Sequence, residues 1–192
     1  RSAEKRGILK TVLDTTHTGG IAMIEATAVG GVVIFRGKIL LLYKSYKNKY
    51  EGWVLPKGTV EAGEEYKDTA AGSIGETGVD ASIIKYVGKS QYTFNVPEDI
   101  VSKDVHWYLM MADSYYSKPQ REEYFVDSGY YKYHEAYHLL KFSNEKAILE
   151  KAYNEYLELK RRNLWGNKKY FLTNLLHQKG ESWSLGSPQT PF

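Results

Sequence analysis

An α/β fold is predicted by three features of this 192-residue sequence. Runs of β-branched and aliphatic residues recur through its first two thirds, a short helical segment follows Glu65, and a long amphipathic helix begins near Ser143. The composition agrees, since 42% hydrophobic and 26% charged residues suit one globular domain with terminal extensions. Disordered, collagen-like and coiled-coil chains have other compositions.

Residues 1–25 lack a clear period, and Thr16 to Gly20 is loop chemistry, so they are assigned to an N-terminal extension. Ala26–Phe35 and Ile39–Tyr43 are two strands, and Arg36, Gly37 and Lys38 between them make a hairpin. Lys44 to Gly52 is polar and tyrosine-rich. Trp53 to Leu55 is a short strand stopped by Pro56, which cannot donate to a ladder. Gly58–Glu65 reads as a loop, and Tyr66–Glu76 as a helix with Ala70, Ala71 and Ile74 on one face and Gly78 as its C-cap. Ile83–Val87, Ser90–Val96 and Val105–Met111 are strands by alternation, with Pro97–Lys103 a loop between the last two. Tyr130–Leu140 reads as a strand edge passing into a helix. Ser143 caps a further helix to about Arg162, because Leu149, Ala152, Tyr153, Tyr156 and Leu159 recur at helical spacing. The domain is therefore expected at 26–162. Residues 163–192 are assigned to a C-terminal extension, with a short helix expected at Tyr170–His177 and a Ser, Gly and Pro tail after Glu181.

Zero cysteines exclude disulfide frameworks, zinc ribbons, iron–sulfur clusters and thiol nucleophiles. The formal net charge, 26 − 23 = +3, is too mild and dispersed to predict nucleic-acid binding. No apolar run approaches the ~18 residues of a membrane span, and residues 1–20 lack a signal-peptide core, so a soluble cytoplasmic protein without a membrane partner is expected. The sequence carries no signal of oligomeric state.

The segment that carries chemistry runs from Trp53 to Val79. It joins a strand, a glycine-bearing loop that lets backbone approach a ligand, an acidic cluster and a helix presenting more carboxylate. Glu61, Glu64, Glu65 and Glu76 repel one another unless a cation or a basic partner offsets them, and hard divalent cations take such oxygen-rich walls. A solvated acidic face is the plainer reading of the same composition.

This segment resembles the signature of the Nudix hydrolases, G-x5-E-x7-R-E-U-x-E-E-x-G-U with U aliphatic. Gly58 and Glu64 match its first fixed positions, and Glu76, Gly78 and Val79 match its end. Trp53 to Gly58 and Val60 to Glu64 are similar to the family's diadenosine polyphosphate branch. The likeness extends from Ala26 to about Lys160, through the leading hairpin, the strand at Val105 to Met110 and the approach Leu139 to Phe142. It implies a Nudix-type α/β/α sandwich with a mixed sheet between helices, and a Mg²⁺- or Mn²⁺-dependent pyrophosphohydrolase. The implied substrate is a nucleoside diphosphate linked to another group, with a dinucleoside polyphosphate favoured. Nucleic acid is not expected as a partner, save a capped or triphosphorylated RNA 5′ end.

The box departs from that signature at the helix. Gly72 and Ser73 stand where the family has Arg and Glu, and the paired glutamates are reduced to Glu76 with one residue missing before Gly78. Ser73 cannot replace a carboxylate ligand, and Gly72 and Gly75 each cost a helix about 1 kcal/mol relative to alanine. The resemblance then assigns metal contacts to the Lys57 carbonyl, Glu64 and Glu76, with Glu61 a weaker candidate. It assigns catalytic roles to Glu64, Glu76 and a loop carboxylate at Glu122 or Glu123, of which Glu123 is chosen. It gives substrate contacts to Lys57, Gly58, Tyr92 and Tyr133. With this ligand set a slow enzyme is expected, and a catalytically impaired nucleotide-binding module is the alternative.

Other residues have two readings each. Tyr46, Tyr50, Trp53, Tyr92, Phe94 and Tyr133 could stack an adenine or simply pack. Lys44, Lys47 and Lys49 could meet phosphates or lie in a solvated loop. His106 alternates with apolar neighbours and reads as a sheet-face residue, while His134 and His138 have the spacing of a zinc pair without a third ligand. Arg161 and Arg162 suit a helix C-terminus and are assigned no ligand.

Overall fold

A computed structural model describes residues 22–46, 50–96, 99–118 and 124–162. Lys47, Lys49, Glu122, Glu123 and the helix expected at Tyr170–His177 lie outside the described residues. The first strand, β1 (Ala22–Phe35), begins before the run read from the sequence. Arg36 and Gly37, at φ 47° and 81°, turn the chain into β2 (Lys38–Tyr46), as a two-residue hairpin requires. Ile34 pairs with Ile39 and Phe35 with Lys38, and the two strands then part.

The following chain closes that gap. β3 (Tyr50–Val54) pairs with β2, and β4 (Lys57–Thr59) pairs with β1 at Ala28 to Gly30. Pro56 interrupts them as expected, its carbonyl accepting the Gly31 N–H at 3.1 Å. Gly58 and Thr59, read from the sequence as the start of a loop, are thus laddered to the sheet together with Lys57.

β5 (Ala81–Val96) and β6 (Asp99–Ala112) form a long antiparallel hairpin, and β6 runs parallel to β1 from Asp99 to Met111. The two strands expected at 83–87 and 90–96 are one. Its register shifts between Ile83 and Lys85 and between Tyr86 and Gly88, so Gly88, at φ 141°, marks a bulge instead of a turn. Asp99 to Lys103 is likewise strand and not loop, because β1 and β5 offer it partners on both edges. β7 (Phe125–Lys132) pairs with β2. The order is β3-β2-β1-β6-β5, with β4 on β1 and β7 on β2, a mixed sheet.

α1 (Tyr66–Gly75) packs on β1, β4 and β5. Thr69, Ala70 and Ile74 are its buried face; Ala71, expected inward, is exposed, one residue off the stripe. Gly78, at φ 72°, donates to the Gly75 carbonyl at 2.8 Å and stops the turn. α2 (Tyr133–Leu139) packs on β7 and β2, and α3 (Ser143–Arg161) follows. Val29 and Val33 meet Ala70, Ile74 and Met110 on one side of β1. Ala28 and Val32, which face the other way by strand alternation, are equally buried, so helices cover both faces.

The chain divides into two units within α3, after Asn154. In the described part of the second, residues 155–162, the helix runs to Arg161, and Arg161 and Arg162 both pair with Glu158.

Candidate functional site

A cleft of about 420 Å³ opens where β1 and β2 part, a volume typical of small-ligand sites. Ala28, Leu42, Val54, Leu55 and Phe125 give it an apolar floor from four strands and the Leu55 linker. Glu61, Glu64 and Glu76 line it together with Lys44, Lys57 and Lys103.

The acidic residues are placed by local chain geometry. Gly63, at φ 81°, closes a turn in which Glu64 N–H donates to the Glu61 carbonyl and Glu61 N–H donates to Glu64 Oε2, each at 3.1 Å. The loop then meets α1 so closely that a Cβ on Gly58 would lie 2.8 Å from Ser73 Cβ, which explains the glycine there. Ser73 Oγ donates to the Ala70 carbonyl at 3.2 Å and Thr77 Oγ1 to the Ile74 carbonyl at 2.6 Å. Both hydroxyls are spent on their own helix. Glu76 caps α1 through its N–H to the Gly72 carbonyl at 2.9 Å and leaves its side chain exposed on the cleft.

The basic residues come from three strands. Lys44 on β2 lies 5.4 Å over the Phe125 ring. Lys57 Nζ on β4 is 2.6 Å from Glu145 Oε1 and 5.7 Å over the Trp107 ring. Lys103 Nζ on β6 donates to Thr59 Oγ1 at 3.1 Å. Burial, then the Lys57 and Lys44 charges, pull the Lys103 ammonium down to about 8. Tyr92 on β5 completes the cleft, its hydroxyl pKa raised by burial.

Carboxylates and ammoniums in one cleft suit a ligand that is itself anionic and carries a cation, as a metal-bound phosphate chain does. No three His, Asp or Glu side chains converge on one point among the described residues. Mg²⁺ is commonly held by one or two carboxylates with waters and substrate phosphates completing its shell. Glu64 and Glu76, with Glu61 beside them, could supply such a partial set, so the donors fit an ion shared with its substrate.

Of the residues singled out from the sequence, the fold brings Lys57, Gly58, Glu64, Glu76 and Tyr92 to the cleft, with Glu61 and Lys44. Tyr133 is not among the lining residues, because α2 carries it away to stack on Tyr153 at 4.6 Å between centroids. The other candidate aromatics are packing residues. Tyr46 meets Tyr124, Tyr50 stacks on Phe142, Trp53 sits between Tyr43 and Tyr131, and Phe94 flanks Tyr92. His106 lies outside the cleft lining against Tyr66, its Nδ1 2.9 Å from the Tyr86 hydroxyl, and His134 and His138 are exposed.

Sequence reasoning missed Lys103 and Glu145. Lys103 keeps phase with Val101, Val105 and Trp107, all buried, so alternation carried back through 99–104 would have turned it inward. Glu145 had no such signal, since a glutamate in a first helical turn is ordinarily a solvated charge.

Residues 25–152 match the NUDIX domain. Mycobacterium tuberculosis MutT4 is 32% identical over 119 residues, which cover 57% of this chain and 43% of that protein, so the chain spans less than half of that curated relative. Two solved structures share the fold at low identity. A NUDIX hydrolase from Nitrosomonas europaea superposes at TM-score 0.55 and 16% identity, covering 74% of this chain and 76% of that one. A C. elegans Ap4A hydrolase superposes at 0.52 and 16%, covering 69% and 98%. A domain match over more than half of the sequence, on a mixed sheet flanked by helices, establishes that the chain belongs to the NUDIX family.

Proposed function

We propose that this chain is a divalent-metal-dependent pyrophosphohydrolase acting on a nucleoside diphosphate linked to another group, with dinucleoside polyphosphates as the favoured substrates. The observation that carries this is the meeting of Glu61, Glu64 and Glu76 with Lys44 and Lys103 around one cleft of a NUDIX domain. The printed name of the C. elegans neighbour, an Ap4A hydrolase, and the stretch Trp53 to Gly58 favour the dinucleoside branch.

Glu64 and Glu76 would hold Mg²⁺ or Mn²⁺ with help from the Lys57 carbonyl. Such an ion neutralises phosphate charge and lowers the pKa of a bound water. Lys103 and Lys44 meet the phosphate chain, Tyr92 lies in position to pack on a base, and the apolar floor excludes water from one side. Glu76 is the carboxylate on which this reading most depends, since Ser73 and Thr77 offer only hydroxyls turned to their own helix.

Those hydroxyls favour a second reading, a nucleotide-binding module with little turnover. Chromatography of products from diadenosine polyphosphates, nucleoside triphosphates and sugar nucleotides, with Mg²⁺ or Mn²⁺, separates the two. Metal-dependent turnover lost by at least a hundredfold in Glu76→Gln is expected. Binding by calorimetry without turnover on any substrate would leave the module and sink the hydrolase.

A further inference from the structure

Among the described residues, Glu145 is the charged side chain that lies inside the protein, at 3% exposure. It stands in the first turn of α3, where negative charge is favoured, and its N–H is taken by Asn144 Oδ1 at 2.9 Å. Its carboxylate leaves that helix and reaches the linker between β3 and β4. Oε2 accepts the Leu55 N–H at 3.1 Å and Oε1 the Lys57 ammonium at 2.6 Å. These two residues straddle Pro56, whose carbonyl is held by Gly31. One carboxylate thus fixes both ends of a three-residue segment that lines the cleft at Leu55 and Lys57.

A buried pair of this kind is weak evidence for stability, because desolvation offsets much of its attraction. Its effect on the cleft is plainer. Lys57 and Lys103 line the same space, and an anion entering it would be drawn to both unless one charge is already matched. Lys57 is matched. The Glu145 charge is felt at Tyr92 in the cleft wall, opposing that of Lys57.

We propose that Glu145 is a positioning residue that fixes the Leu55–Lys57 segment and holds the Lys57 ammonium in an ion pair, so that an incoming phosphate chain is met by Lys103 and not by Lys57. This inference rests on the phosphate reading of the cleft above. It makes α3, outside the signature segment, a determinant of how the cleft recognises an anion.

Calorimetry of inorganic tripolyphosphate binding with EDTA present, so that no metal contributes, tests it in the full chain. Glu145→Gln keeps an acceptor for the Leu55 N–H but frees the Lys57 charge, and tripolyphosphate is expected to bind about tenfold tighter, with a steeper salt dependence. A merely structural Glu145 would instead weaken binding when replaced. The double variant Lys57→Met with Glu145→Met removes a neutral pair in favour of apolar side chains, a change that buried pairs commonly tolerate, and is expected to bind within about twofold of the wild type. A folded Glu145→Gln protein that binds no tighter, or a double variant that loses tenfold or more, overturns the inference while wild-type binding leaves the phosphate reading standing. If Glu145→Gln does not fold, the double variant decides alone. Absence of tripolyphosphate binding in every protein overturns both.

Discussion

Lys103 ties the cleft to pH. Its ammonium pKa of about 8 lies below the ordinary lysine value of 10.5, so between those values the unfolded chain binds the proton that the folded chain has released. The contribution of Lys103 to the stability of the ligand-free protein therefore rises with pH across that window, and its burial penalty is present in full below it. A bound phosphate acts in the opposite sense, since it favours the cation. Tripolyphosphate affinity measured by calorimetry is expected to fall as pH rises through about 8, and Lys103→Met is expected to bind weakly and flatten that profile. An unchanged profile in Lys103→Met would remove Lys103 from the phosphate site. The residue is legible in the sequence only when Val101, Lys103, Val105 and Trp107 are read as one alternating series. Its charge hides the strand it belongs to.

At the scale of elements, α1 is a helix assembled against its own propensity. Gly72 and Gly75 are exposed, and a Cβ at either would meet nothing within 4 Å. The glycines are not required by packing, and Gly72→Ala is expected to stabilise the protein by about 0.5–1 kcal/mol, read as a higher urea midpoint at unchanged slope. A lower midpoint would mean that Gly72 has a backbone role the contacts do not reveal. The helix was nonetheless readable, because Tyr66 to Gly75 is bounded by a glycine turn on each side and keeps Ala70 and Ile74 in phase. β4 was not readable, since Lys57, Gly58 and Thr59 have no alternation of their own and become a strand only where β1 has lost β2 as its neighbour. Only the end of β7, from Tyr130, was readable. Val126 and Asp127 are both exposed, which breaks the two-residue period at its start.

For the whole molecule, the mixed sheet between helices was predicted only through the likeness of Gly58, Glu64, Glu76, Gly78 and Val79 to a known signature. The hairpin, the breaking proline and the last helix were legible from residue pattern alone. What no pattern supplies is distance, such as that between Glu145 and Lys57, 88 residues apart in sequence and 2.6 Å apart in space. Gly30 links these levels. A Cβ there would lie 2.4 Å from the Trp107 ring and 2.7 Å from the Pro56 carbonyl, so Gly30→Ala crowds core and linker together. It is expected to destabilise the fold by roughly 1–3 kcal/mol and to weaken tripolyphosphate binding, read by urea unfolding and calorimetry. Loss of stability without loss of affinity would show that the linker follows the core less closely than this contact implies.

The parting of β1 from β2 has one more consequence. Leu55 to Lys57 is both the splice that rejoins the two strands and part of the cleft wall, so this wall cannot yield without peeling β4 away. The exposed turn from Glu61 to Glu64, which also lines the cleft, is closed by its own hydrogen bonds and shares no such duty. The cleft lining therefore combines a segment tied into the sheet with a turn held by its own hydrogen bonds.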